Sequence, residues 1–405
     1  MATLGSSQKD LEITQTADDS LRTKVDRIVD SIVQVEEEKH HFVDILLHCK
    51  TQLTFPSAFK ENYNILDDGF TAAVPLHDLA GMKIAAVDGS ILRESLLGAD
   101  LIASKSRGVV FRFYTKKSPV VKYYPQEKNE NFNLHAIFQN ADAGEMEFYA
   151  NIERLISELE MVSKIIRTEP NLDMMIIDGS LFIPELFNRK ENYYVLQYTK
   201  RLSDLLIDIL DIAERNNTIL VGVMKDSTST DLTTIIGQLI STCSPQEKLL
   251  EDFYDFDYRQ VLQLFKDYDL FFRFMDAGER SFACRAFPKT GTFIPSTAFE
   301  KYLKQKELGL YAYLIKTVPM DVPLKVEFFS RIDAEVASKR VARTASLLNP
   351  VSRIMHDYSE PSPQMEAHRR VKISENEFQV LVDIIRQKTG YCSSLLQKRR
   401  DRRPF

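Results

Sequence analysis

Along residues 21–49, LRTKVDRIVDSIVQVEEEKHHFVDILLHC, apolar side chains recur at Val25, Ile28, Val29, Ile32 and Val33. Steps of three and four residues keep such positions on one side of a helix, so a long amphipathic helix is predicted, preceded by a polar, acidic and disordered segment over 1–20. From residue 84 the pattern changes. IAAVD (84–88) predicts a strand, and GVVFRFYTKK (108–117) with PVVKYYP (119–125) predict a hairpin turning at Lys117 and Ser118. The helical period returns over 144–167, with Ile152, Leu155, Ile156, Leu159, Val162 and Ile166, and the loop TEPN closes it. Strand MMIIDG (174–179), a helix over 191–214 and strand TILVGVMK (218–225) follow.

The predicted order is β, β, β, α, β, α, β, which is that of a ribonuclease H-like α/β core: three antiparallel strands, then two parallel strands added through right-handed crossover helices. Over 226–350 the apolar runs FFRFMD (271–276), SFACRAFP (281–288), LYAYLIKTV (310–318) and LKVEFFSRI (324–332) predict strands, with helices at 246–266 and 333–346. These strands either extend the sheet or form an inserted β-rich region. ISENEFQVLVDIIRQKTG (373–390) predicts a last helix, with Ser374 and Glu377 as a capping box and Gly390 at its end. The expected organisation is a disordered 1–20, a helical segment 21–83 and a main domain 84–390. That domain divides into a core at 84–225, β-rich residues 226–350 and returning helices 351–390, and a basic tail at 391–405 ends the chain.

Composition narrows the chemistry. With 405 residues, 44% of them hydrophobic, the chain can bury a large core. A net charge of -6 removes bulk attraction to nucleic acid as an argument, so any basic surface must be local. Lys398, Arg399, Arg400, Arg402 and Arg403 in the tail QKRRDRRPF are such a concentration, fit for phosphates, for an acidic protein surface or simply for solvation. Cys49, Cys243, Cys284 and Cys392 form no CxxC pair, which argues against a zinc site or a disulfide framework. His40, His41 and His48 on the helix over 21–49 are read as a solvated face rather than as metal ligands. Only 14 glycines occur, without GxGxxG or GxxxxGK[ST], so dinucleotide and P-loop phosphate cradles are not expected. The polar start of the chain, and the lack of a long apolar run, set a cytoplasmic protein with no membrane segment as the expectation.

Two apolar runs end in the same tripeptide, IAAVDGS (84–90) and MMIIDGS (174–180). Taken singly, Asp-Gly-Ser is a turn. Repeated on the first and fourth strands of the proposed sheet, it would bring Asp88 and Asp178 to one rim. Paired carboxylates repel unless a cation joins them. Two oxygen-liganded Mg²⁺ or Mn²⁺ ions, about 3.5–4 Å apart, would activate water and stabilise a leaving oxygen in phosphodiester hydrolysis. A third carboxylate is expected from the intervening helix, where Glu153 and Glu160 stand seven apart and share a face while Glu158 is read as pointing elsewhere. Taken alone, each of the three is read first as a solvated side chain of an exposed helix. His368, in PSPQMEAHRR (361–370), is a further candidate, the alternative being a structural histidine.

The AAVDGS run, the helix glutamate, IIDGSLF, VGVMKDS and PSPQMEAHR, in that order over residues 80–390, resemble the NurA nuclease family. The resemblance implies a manganese- or magnesium-dependent deoxyribonuclease with two ions. It further implies a homodimer with a central DNA channel, working beside a HerA-type hexameric helicase-translocase in DNA end resection and repair. Carried onto this chain, Asp88, Asp178 and His368 are metal ligands. Glu160 is the helix ligand, with Glu153 second, and Lys225 lies beside the scissile phosphate. The family's aromatic residue ahead of the histidine has only Tyr358 as a counterpart, with SEPSPQMEA between them, which leaves its role open. The competing classes are an actin-like ATPase, which needs the glycine loops missing here, and a non-catalytic DNA-binding scaffold of the same fold.

Overall fold

A computed structural model describes residues 6–126, 132–138, 143–181, 193–242, 257–286, 297–390 and 392–396. In chain order the elements begin with α1 (Ser6–His48), α2 (Ser57–Tyr63), β1 (Thr71–Ala73), β2 (Lys83–Ser95), β3 (Asp100–Tyr114), β4 (Lys117–Tyr124) and β5 (Phe132–Ile137). Next come α3 (Ala143–Thr168), β6 (Met174–Asp178), α4 (Tyr193–Arg215), β7 (Ile219–Met224), α5 (Asp231–Thr242), α6 (Tyr258–Gln263) and α7 (Asp267–Phe274). The chain closes with β8 (Glu279–Ser281), β9 (Cys284–Arg285), α8 (Thr297–Gln305), β10 (Leu308–Lys316), β11 (Leu324–Arg331), α9 (Ala334–Val351), α10 (Ser362–Val371) and α11 (Glu375–Thr389).

Two compact units result, one of residues 1–54 with 228–274 and one of 55–227 with 275–405. In the first, the C-terminal half of α1 buries Phe42, Val43, Ile45 and Leu46. Phe42 meets Phe265 at 5.7 Å between ring centroids, and Lys39 pairs with Asp269 at 2.6 Å. The helix starts at Ser6, whereas its first residues were expected to be disordered. A polar composition does not by itself oppose a helix, and no proline interrupts 6–48. FFRFMD, expected as a strand, lies mostly in helix α7. Its Leu270, Phe271 and Phe274 sit at one, three and four residues apart on one buried face, and a short apolar run does not by itself distinguish the two periods.

The second unit is built on one sheet with the order β1-β8-β10-β11-β7-β6-β2-β3-β4, to which β5 adds beside β3 and β9 beside β10. β2, β3 and β4 pair antiparallel, and β2-β6 and β6-β7 pair parallel. β11 joins β7 antiparallel and carries β10 on its other side. The strands of 308–331 therefore extend the central sheet, which decides between the two arrangements open to the sequence. β6 and β7 are apolar on both faces because helices cover both. Ala85, Val87, Met175, Ile177 and Leu220 pack with Ile156, Val162 and Leu206 on one side. Ile84, Ala86, Met174, Ile176 and Val221 pack with Val341, Leu348 and Ala367 on the other. The short strands β1 and β5 were not expected; β1 has only three residues, whereas β5, FNLHAI, does alternate apolar and polar positions. α11 has its expected capping box, Ser374 with Glu377. Among the described residues no helix is long and apolar enough to cross a membrane. The expected helix over 246–256, residues 287–288 and the basic tail over 397–405 lie outside the described residues.

Candidate metal centre

The centre forms where a parallel pairing stops. β2 and β6 run side by side through Val87 and Ile177, and the next residue on each strand is an aspartate. Asp178 ends β6, as expected. Asp88, expected to end its strand, does not, because β3 continues to pair β2 from Lys83 to Ser95 and keeps it extended. Residues alternate across the sheet, so Asp88 and Asp178 share the face of Ala86 and Ile176, the face that α10 covers. Four residues of helix rise about 6 Å and neighbouring strands lie about 4.8 Å apart, so an i, i+4 pair on α10 can address both strands. Gln364 and His368 do so: Gln364 Nε2 donates to Asp178 Oδ1 at 2.6 Å, and His368 Nδ1 lies 2.7 Å from Asp88 Oδ2. One ligand atom from each of Asp88, Asp178 and His368 falls within 4.8 Å of the other two.

A third carboxylate, Glu158 of α3, lies near enough to feel the charge of both aspartates, outside the group of mutually close ligand atoms. It is fully buried and paired to Arg154 one turn earlier. Gly89 makes room for it, since a Cβ there would stand 2.4 Å from Glu158 Oε1 and 2.9 Å from Arg154 Cγ. Burial pushes the Glu158 carboxyl up to about 8, against the pull of Arg154 and helped by the negative charge of Asp88 and Asp178. Burial also raises Asp178, with Lys225 opposing the shift and Asp88 and Glu360 adding to it. Oε2 of Glu158 is buried and accepts no hydrogen bond.

Lys225, directly after β7, bridges the rim. Its Nζ lies 2.5 Å from Glu360 Oε1 and 3.7 Å from Asp178 Oδ2. Burial works against its charge, yet Glu360 and Asp178 outweigh that cost and hold its pKa above the ordinary lysine value. Tyr358 donates to Glu360 Oε2 at 2.7 Å, so it reaches the centre through Glu360. Burial and then this bond raise its phenol pKa.

Of the residues read from the sequence, Asp88, Asp178, His368 and Lys225 come together. The two helix glutamates do not join them. Glu160 turns outward to an exposed ion pair with Arg201. Glu153 is buried elsewhere, 3.3 Å from His135 and hydrogen-bonded by Tyr198. The error is one of helical phase: Glu158 stands three residues after Leu155 and four before Val162, inside the apolar stripe. A charged residue within that stripe was the available signal. Gln364 and Glu360 gave none, as an amide and an acid in a proline-bounded segment.

Carboxylate oxygens, an imidazole nitrogen and a buried carboxylate oxygen without a donor suit Mn²⁺ or Mg²⁺ rather than a thiophilic ion. The donor set thus fits the metal that the sequence resemblance implies.

Comparison with solved structures finds the NurA nuclease from Sulfolobus solfataricus, at 14% identity over 89% of this chain and 96% of that one, with a TM-score of 0.49. A NurA bound to dAMP and manganese follows at 12% identity, 92% and 98% coverage and a TM-score of 0.44. An endonuclease V from Streptomyces avermitilis is similar at 11% identity, 77% and 88% coverage and a TM-score of 0.30. No individual curated protein sequence matches. The sequence model of the NurA domain matches residues 82–373, a stretch that runs from the start of β2 past the end of α10 and contains every residue of the centre. With more than half of its length matched, the chain belongs to the NurA nuclease family.

Proposed function

We propose that this chain is a divalent-metal-dependent deoxyribonuclease whose centre is Asp88, Asp178, Glu158 and His368. The observation that carries the reading is the convergence of Asp88, Asp178 and His368 within 4.8 Å, with the buried Glu158 carboxyl close enough to feel the charge of both aspartates. Carboxylates held this close without a cation oppose folding, so a fold that assembles them is built to bind one. When bound there, Mn²⁺ or Mg²⁺, as two ions in the two-metal form, would polarise the phosphodiester and lower the pKa of an attacking water. The chain's own groups do the rest. Asp88 fixes the His368 ring, which orients water or the scissile phosphate. Lys225, shared between Asp178 and Glu360, offers its charge to a phosphate oxygen. Arg154 holds Glu158 toward the two aspartates from the opposite side of the sheet.

The ribonuclease H-like core is supported by the run β4-β3-β2-β6-β7, antiparallel through the first three strands and parallel through the last two. Family membership supports a homodimer around DNA and a HerA-type translocase as partner in end resection. The test is cleavage of linear DNA by purified protein. Cleavage is expected only with Mn²⁺ or Mg²⁺ and is expected to vanish in Asp88→Ala and Asp178→Ala, with unchanged circular dichroism. Undiminished cleavage by either folded variant would end the assignment.

A further inference from the structure

We propose that Glu327 is the positioning residue of this centre: it clamps the turn that carries Asp178 and so fixes where that carboxylate points. The inference rests on the reading of Asp178 as a metal ligand.

β11 reads LKVEFFSR, an apolar strand with an acid in its interior. Glu327 is only 2% exposed. Burying a carboxylate is unfavourable unless its oxygens are satisfied, and here both are engaged. Oε2 accepts from Ser180 Oγ at 2.6 Å and from the Leu181 N–H at 3.0 Å, and Oε1 lies 3.4 Å from Lys325 Nζ. Neither donor comes from a neighbouring strand's ladder. Both belong to the turn immediately after Asp178.

Strand register brings the two together. Glu327 faces Gly222 across β11 and β7, and the next residue of β7, Val223, faces Asp178 across β6. Gly222 lets the turn lie flat on β7, since a Cβ there would stand 2.6 Å from the Gly179 carbonyl oxygen and 3.0 Å from Leu181 Cγ. The Gly179 N–H donates to the Val223 carbonyl at 3.0 Å, and Gly179 takes a φ of +105° that other residues rarely adopt. Three consecutive residues after Asp178 are thus tied down, one to β7 and two to Glu327. Both Glu327 oxygens are occupied by Ser180, Leu181 and Lys325, so its action on the centre passes through the turn. Partners that orient metal ligands in this way typically change metal affinity by about 10–100-fold when removed.

The test is Mn²⁺ binding by the full chain without DNA, followed by electron paramagnetic resonance of the free ion, at a temperature where every variant is folded. Wild type should bind, and Asp178→Ala should not. Glu327→Ala should weaken binding about tenfold, while Glu327→Gln, which keeps an acceptor oxygen for Ser180 and Leu181, should stay within about threefold of wild type. Ser180→Ala deletes one donor while leaving Glu327 the Leu181 N–H and Lys325, and covers the case in which Glu327→Ala fails to fold; it too should weaken binding. Wild-type affinity in Ser180→Ala and in folded Glu327→Ala would overturn the inference, as would a loss in Glu327→Gln equal to that in Glu327→Ala. If wild type itself binds no Mn²⁺, or Asp178→Ala binds as well as wild type, the reading of the centre fails instead.

Discussion

The two Asp-Gly-Ser runs are identical in letters and opposite in structure. Asp88-Gly89-Ser90 is extended, the middle of a long strand that β3 holds throughout. Asp178-Gly179-Ser180 ends a strand and turns, with Gly179 at a φ of +105°. Each glycine is required for a different reason: Gly89 because Glu158 occupies the space of a side chain, Gly179 because of its backbone angle, with open space around it. The serines differ too. Ser90 Oγ accepts from the Ile373 N–H at 3.3 Å and ties down the chain after α10, whereas Ser180 Oγ donates to Glu327. Even the aspartates take separate helix partners, His368 for Asp88 and Gln364 for Asp178. What sets the two apart lies outside the tripeptide, in whether a neighbouring strand continues to pair beyond the aspartate. A rim built this way has one aspartate on rigid sheet and one on a turn that needs support.

The glycines break the comparison most sharply. Gly89→Ala drives a methyl into the Glu158 carboxylate and is expected to lower metal-dependent cleavage about a hundredfold, with a smaller loss of stability. Gly179→Ala meets no atom but strains the backbone, so it should cost about 1–2 kcal/mol in a denaturant melt. Rates and melts of both variants decide, and interchangeable behaviour would contradict separate roles for the two runs.

The helix partners sharpen it next. His368→Ala should keep its melting temperature and DNA affinity while the Mn²⁺-dependent rate falls about tenfold, roughly 1.4 kcal/mol of barrier. Gln364→Ala, which removes a hydrogen bond to Asp178 and leaves a cavity at a buried position, should lower the rate less and the melting temperature more. A normal rate for His368→Ala at saturating Mn²⁺ would take His368 out of the centre.

The smallest effect is on pH dependence. Burial raises Glu158 to about 8 in the folded chain, above its ordinary value of 4.5. The folded, metal-free protein therefore holds a proton that the unfolded chain has released, and this contribution to stability is full below 4.5 and lost as pH rises through about 8. Metal-free wild type should lose more melting temperature between about pH 6 and 9 than Glu158→Gln, which lacks the titrating group. Binding of Mn²⁺ below about pH 8 should release a proton, visible by calorimetry in buffers of different ionisation enthalpy. Equal pH profiles in the two proteins would mean that Glu158 is ionised throughout.

The convergence of Asp88, Asp178, Lys225 and His368 was legible because apolar strands running into polar residues mark sheet rims, and because the order of these residues along the chain matches a family. The burial of Glu158 was not legible from spacing alone, because positions on a helix differ in direction by about 100° per residue and the seven-residue step from Glu153 to Glu160 does not say where the buried stripe runs. α7 was misread because aromatic-rich runs suit either period when they are short. Glu327 had no local signal at all: an acid inside a strand reads as an outward face until the turn from 146 residues earlier is placed over it.

Cleavage of linear DNA with Mn²⁺ by Glu158→Gln and Glu160→Gln, side by side, tests the centre most directly. The geometry predicts that Glu158→Gln loses about a hundredfold or more while Glu160→Gln, deprived only of an exposed pair with Arg201, cleaves like wild type. Normal cleavage by folded Glu158→Gln, with loss in Glu160→Gln, would contradict it.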